Sequence, residues 1–134
     1  MPGNFYDTNI LLYLASGEAG KADAAERAVG LGGTISVQVL NEFVHVARRK
    51  LGFSWDEVHS FLAVVRSLLK VAPVTLEIHD KGLELAERFN LQTYDAMIVA
   101  AALSAGCDTL FSEDLQDGMR IESLSIVNPL RNIL

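Results

Sequence analysis

The chain has 134 residues, half of them apolar, and carries 17 Asp and Glu against 11 Lys and Arg, a formal charge of −6. That length accommodates one domain, 1–134, and so apolar a composition excludes a disordered chain. The single Cys107 excludes an internal disulfide, and one thiol cannot build a zinc or iron–sulfur cage, so the chain reads as reduced and cytoplasmic. The longest apolar run, Ala96 to Leu103, is too short to cross a bilayer, and the first residues lack the basic-then-apolar pattern of an export signal. The acidic balance stands against a nucleic-acid partner unless the carboxylates gather in one place.

In chain order, Asn4-Phe5-Tyr6-Asp7 reads as a short strand, and Thr8-Asn9 caps a helix over Ile10 to Ala15. A helix begun near Lys21 is closed by Gly30-Leu31-Gly32-Gly33, and Thr34-Ile35-Ser36 is the second strand. Leu40, Phe43, Val44, Ala47 and Leu51 then recur on one helical face, with Asn41, His45, Arg48 and Arg49 on another and Gly52 as the stop. Ser54-Trp55-Asp56-Glu57 is a capping box that opens a helix through Leu69. Val71 to Val74, interrupted by Pro73, reads as an edge strand, and Thr75 caps a helix that runs to Phe89 and ends at Asn90. Thr93 caps Tyr94 to Ala105, and Gly106 supplies a left-handed stop. Thr109 to Ser112 and Leu124 to Val127 are the last strands. This alternation predicts an α/β fold, a three-layer α/β/α sandwich around a central, mainly parallel twisted sheet of about five short strands.

In such sheets ligands bind beyond the carboxyl ends of the strands. Asp7 and Asp114 follow strands, Glu42 shares a helical stripe with Val39 and Val46, and Asp95 sits in the first turn of an almost wholly apolar helix. Each has a plain structural account. Asp7 can be an Asx turn or a cap, Asp95 can complement the helix dipole, Glu42 can snorkel to solvent, and Asp114 can be a turn residue. Gathered at one crevice, however, four carboxylates repel one another by roughly 4 kcal/mol per close pair at an effective dielectric near 20, and need cations. An all-oxygen set without His or Cys selects Mg²⁺ or Mn²⁺ over zinc, and such ions support phosphodiester cleavage. Arg48, Arg49, Lys50, Arg66 and Lys70 remain to hold phosphates, although the Arg-Arg-Lys run is equally a solvated helix end.

Four segments, Phe5-Tyr6-Asp7-Thr8-Asn9-Ile10-Leu11-Leu12-Tyr13, Val39-Leu40-Asn41-Glu42-Phe43, Tyr94-Asp95-Ala96-Met97-Ile98-Val99-Ala100-Ala101-Ala102 and Thr109-Leu110-Phe111-Ser112-Glu113-Asp114-Leu115, span most of the chain. Together they resemble the PIN-domain family, in particular VapC-like ribonuclease toxins of toxin–antitoxin pairs. The resemblance implies that Asp7, Glu42, Asp95 and Asp114 form the acidic metal site of an endoribonuclease acting on RNA with Mg²⁺ or Mn²⁺. It implies that Asn9 and Ser112 help orient those acids or a metal-bound water, and that the protein is a homodimer with a small antitoxin partner. Asp7, Asp95 and Asp114 are expected to hold the principal ion, and Glu42 to serve a second ion or the attacking water. Asp117 and Glu113 have no assigned role.

Two other readings bear on the same residues. Phosphotransfer modules also place Asp after parallel strands, but Asn9 stands where a dehalogenase-type phosphatase needs an acid, and no Lys follows Lys81 as a receiver requires. A PIN-like domain can also be a non-catalytic RNA-binding or assembly module. His45 and His59 read as helix-surface residues and Cys107 as core. Trp55 either packs its helix or meets a partner. Phe61, Leu62, Val65 and Leu69 either fill the core or form a dimer face.

Overall fold

The computed structural model describes residues 3–130, so the ends of the expected 1–134 unit lie outside it. Its elements are β1 (Asn4–Tyr6), α1 (Thr8–Ser16), α2 (Ala19–Val29), β2 (Thr34–Ser36), α3 (Val37–Arg49), α4 (Trp55–Leu68), β3 (Lys70–Ala72), α5 (Leu76–Phe89), α6 (Thr93–Ser104), β4 (Thr109–Phe111), β5 (Arg120–Ile121) and β6 (Leu124–Val127). The strands form one sheet in the order β3-β2-β1-β4-β6-β5, parallel except for β5 against β6. Phe5 pairs with Thr34 on one side and with Leu110 on the other. Helix α1 packs on α2 and α3, α3 on α4, and α5 on α6, the division into α1 to α4 on one face and α5 and α6 on the other that the usual right-handed crossovers give for this strand order. The α/β class and the mainly parallel sheet are as the alternation predicts.

Burial explains the arrangement. Phe5, Tyr6, Ile35, Leu110 and Ile126 in the central strands are shut off from water, as expected for a parallel sheet covered on both faces. In α6, Ala96 to Ala102 are all buried, and the helix has no polar side. Its small side chains let it lie close to α5, where a Cβ at Gly82 would collide with the Met97 sulfur. On α3, Val39, Phe43 and Ala47 form the buried stripe, and Phe43 stacks on Phe61 of α4 with ring centroids 4.6 Å apart. Val65 and Leu69 are buried too, so this set faces the chain's own core, while Trp55, Val64 and Leu68 are the large apolar residues that α4 leaves exposed.

Several boundaries differ from the sequence reading for identifiable reasons. Helix α1 begins at Thr8, with Asp7 as its N-cap accepting from the Thr8 amide at 2.7 Å, which frees the Thr8 hydroxyl for another partner. Helix α6 includes Thr93 and starts after Gln92 with no side-chain cap. Strand β3 stops at Ala72, before Pro73, whose missing N–H ends the ladder. The sheet has six strands among the described residues instead of about five. The extra one, β5, is a two-residue hairpin arm joined to β6 through Glu122, which adopts φ 54° without the usual Gly or Asn. Lys81 and Arg88 of α5 each hold the Glu122 carboxylate at 2.7 Å, offsetting that backbone strain. No helix among the described residues is long and apolar enough to cross a membrane.

Candidate functional site

Strand order reverses at β1. The chain proceeds β1, β2, β3 to one side, then returns to lay β4 on the other side of β1. In open parallel sheets such a switch point leaves a crevice at the carboxyl ends, because the two connections diverge there. Asp7 leaves β1 at this point, and its N–H donates to the Phe111 carbonyl of β4 at 2.9 Å. Ser112 leaves β4 directly beside it, and its hydroxyl donates to Asp7 Oδ2 at 2.7 Å. The same Ser112 oxygen accepts the N–H groups of Asp114 and Leu115, so it shapes the turn that carries Asp114. Asn9, the second residue of α1, donates to Asp114 Oδ2 at 3.1 Å and accepts the Glu113 N–H at 3.1 Å. Asp7 and Asp114 are thereby linked through Ser112 and Asn9, the two polar residues singled out in the sequence.

Asp7 is only 4 % exposed, yet among the described residues no ion pair includes it, Glu42, Asp95 or Asp114. Its carboxyl is raised to about 6, chiefly by burial and in part by the charges of Asp114 and Asp95, against the lowering by the bonds from Ser112 and Thr8. Asp95 is half-buried and is also raised, chiefly by desolvation and then by Asp114 and Glu42. Asp7 thus feels Asp114 and Asp95, and Asp95 feels Asp114 and Glu42, so the four acids are linked electrostatically through Asp95. Glu42 comes from the second turn of α3, where its Oε1 accepts the Thr8 hydroxyl at 2.8 Å and lies 3.5 Å from the Gln38 amide. Thr8 is a site residue the sequence reading had assigned to capping. Its adjacency to Asp7 was visible, but the contact to Glu42, 34 positions away, was not.

The donor set suits a hard divalent cation. It is all oxygen, lacks a neutralising Lys or Arg, and contains a carboxylate whose ionised form is costly without a counter-charge. Among the described residues the four acids share a field but are not drawn into a closed cage, since no three of them stand at ligating spacing. Glu113 points elsewhere. It accepts from the Tyr13 hydroxyl at 2.8 Å and pairs with Lys21 at 4.0 Å. Asp117 accepts the Asn128 N–H at 2.7 Å and ties the loop after β4 to the end of β6. Arg48, Arg49 and Lys50 are exposed at the far end of α3, and Arg48 lies over the Trp55 ring and donates to the Phe53 carbonyl. His45 and His59 are exposed and Cys107 is buried, as their positions suggest.

No curated protein matches the chain. Solved structures do. A toxin–antitoxin complex from Klebsiella pneumoniae superimposes with a TM-score of 0.74 at 21% identity, covering 94% of this chain and 97% of that one. Mycobacterium tuberculosis VapC20, a sarcin–ricin loop cleaving toxin, gives 0.69 at 20% identity over 83% and 91%. Rickettsia felis VapBC2, bound to a DNA fragment from its promoter, gives 0.66 at 21% identity over 92% and 96%. The sequence matches the PIN domain family over residues 5–116, the span that contains the switch-point crevice and all four acids, and the chain belongs to that family.

Proposed function

We propose that this chain is a Mg²⁺- or Mn²⁺-dependent endoribonuclease built as one domain, 1–134, and that it is the toxin of a toxin–antitoxin pair. The observation that carries the reading is Asp7, a buried carboxylate at the switch point with no Lys or Arg paired to it among the described residues and with the charges of Asp95 and Asp114 acting on it. Asp7, Asp95 and Asp114 would hold the ion. An ion held there would supply a more acidic water and a counter-charge for the phosphodiester being cleaved. Ser112 and Asn9 fix the orientations of Asp7 and Asp114. Glu42, pinned at Oε1 by Thr8, keeps Oε2 for the attacking water and accepts its proton. The likeness to a toxin that cleaves the sarcin–ricin loop supports RNA as substrate, and the likeness to a toxin–antitoxin complex supports a small antitoxin as partner. A homodimer in the cytoplasm completes the proposal.

The test is cleavage of tRNA and mRNA in Mg²⁺, in Mn²⁺ and in EDTA, beside Asp95→Asn. Wild type is expected to cut with either metal and not in EDTA. The variant, folded by circular dichroism, should lose more than the roughly 10- to 100-fold typical of an outer-shell partner. RNA that is bound but left intact under every metal condition would assign the chain instead to the non-catalytic RNA-binding or assembly class.

A further inference from the structure

Beside the carboxylates lies a groove of about 520 Å³, walled by Val37, Val74 and Tyr94, edged by Asn41 and His45, and bounded by Glu42. Its volume is in the range of roughly 300–1,000 Å³ occupied by small-ligand sites. Tyr94 is 70 % exposed and immediately precedes Asp95 on α6. The Gln38 amide donates to the Tyr94 carbonyl at 3.1 Å and also reaches Glu42 Oε1, so one side chain braces the groove wall and the carboxylate together. Along α3, Asn41, His45 and Arg48 or Arg49 recur on successive turns, leading from the groove to the basic end of the helix.

Resting on the ribonuclease reading, we infer that this groove is the subsite for one unstacked nucleobase of single-stranded RNA, stacked on Tyr94 and read at its edge by Asn41 and His45, next to the phosphate that is cut. Three observations favour a base over other occupants. The aromatic face stands one residue from a proposed ion ligand. The walls are apolar while the edge carries hydrogen-bonding groups, which is how RNA-binding modules hold splayed bases. The path away from Glu42 turns cationic in a chain that is acidic overall, matching a phosphate backbone.

The experiment compares wild type, Tyr94→Ala and Tyr94→Phe on short fluorescein-labelled RNA of randomised sequence and on fully abasic RNA of the same length. Binding is read by anisotropy with Ca²⁺ and cleavage with Mn²⁺. Tyr94→Ala should weaken binding of the base-containing RNA by about 5- to 150-fold, the range of one base–aromatic stack. Tyr94→Phe should keep wild-type affinity, and all three proteins should bind abasic RNA alike. A Tyr94 effect on binding in a wild type that never cuts keeps the base subsite and removes the nuclease reading. Cleavage and binding untouched by Tyr94→Ala overturn the subsite. Equal loss in Tyr94→Phe or on abasic RNA, or absence of RNA binding by the wild type, overturns it as well.

Discussion

Asp7 performs two tasks at one position. As the N-cap of α1 it satisfies the Thr8 amide, and as a buried acid it faces the crevice with its ionised form disfavoured. A carboxyl whose folded pKa is raised above its unfolded value stabilises the fold only while protonated. That contribution is complete below an unfolded pKa of 3.8 and is lost as pH rises through about 6. At about 1.4 kcal/mol per pKa unit, the ion-free protein is on the order of 3 kcal/mol less stable at pH 7 than a neutral group at this position would leave it. Asp7→Asn removes the charge and keeps an oxygen for the Thr8 amide, but its Nδ2 faces a Ser112 Oγ that already accepts the Asp114 and Leu115 N–H groups, so the 2.7 Å bond is forfeited and the gain is less than the full ~3 kcal/mol. In EDTA it should therefore unfold at higher denaturant than wild type at pH 7, with the advantage fading toward pH 4, while RNA cleavage with Mn²⁺ is abolished. Chemical denaturation across that pH range is the check. A variant equally or less stable at pH 7 would show that Asp7 carries no unmet charge.

At the scale of elements, the sheet is made of strands so short that their positions depend on close contacts between neighbouring backbones. Gly33, which leads into β2, is the sharpest case. Its φ is +145°, and a Cβ there would strike the Asn4 carbonyl of β1 and approach the Tyr6 ring at 2.9 Å. Tyr6 cannot yield, because its hydroxyl lies 2.5 and 2.7 Å from the Ala28 and Gly32 carbonyls. Gly33→Ala should thus cost roughly 2–4 kcal/mol, combining backbone strain with overpacking, and lower Tm by roughly 10 °C. Differential scanning calorimetry would measure it, with Gly17→Ala, whose added Cβ meets nothing within 4 Å, as the control for positive φ alone. These elements differ in how much of them the sequence carried. Helical periodicity and the Ser54–Glu57 capping box are local signals, and α3 and α4 lie where they predict. Strand β5 has two residues and a turn at Glu122 whose support comes from Lys81 and Arg88, some 41 and 34 positions away, so no local pattern announces it. The candidate site divides the same way. Its four acids stood out because each follows a strand or shares a helix with apolar residues, whereas Thr8, Gln38 and Tyr94 acquire their roles only from pairings across the fold.

For the molecule as a whole, the charge of −6 is unevenly distributed. Four acids share the field at the switch point, Glu113, Glu84 and Glu122 are tied to Lys21, Lys81 and Arg88, and Arg49 and Lys50 make no ion pair among the described residues. Glu42 and Arg49 are seven positions apart on α3, about 10 Å along its axis on the same face. A strand whose phosphate is cut beside Glu42 therefore has Arg49 and Lys50 within reach of its next phosphates. Arg48 is a poorer candidate, since its guanidinium is already engaged by Trp55 and the Phe53 carbonyl and its loss would disturb packing. Replacing Arg49 and Lys50 together by Ala should weaken single-stranded RNA binding across sequences. It should also reduce the slope of log K against log salt by roughly 1.4, at about 0.7 for each phosphate no longer neutralised. Titrations with Ca²⁺ held constant from about 50 to about 200 mM salt measure that slope. An unchanged slope would make this helix end a merely solvated terminus, leaving the proposed ion at the switch point as the main attraction for the phosphate backbone.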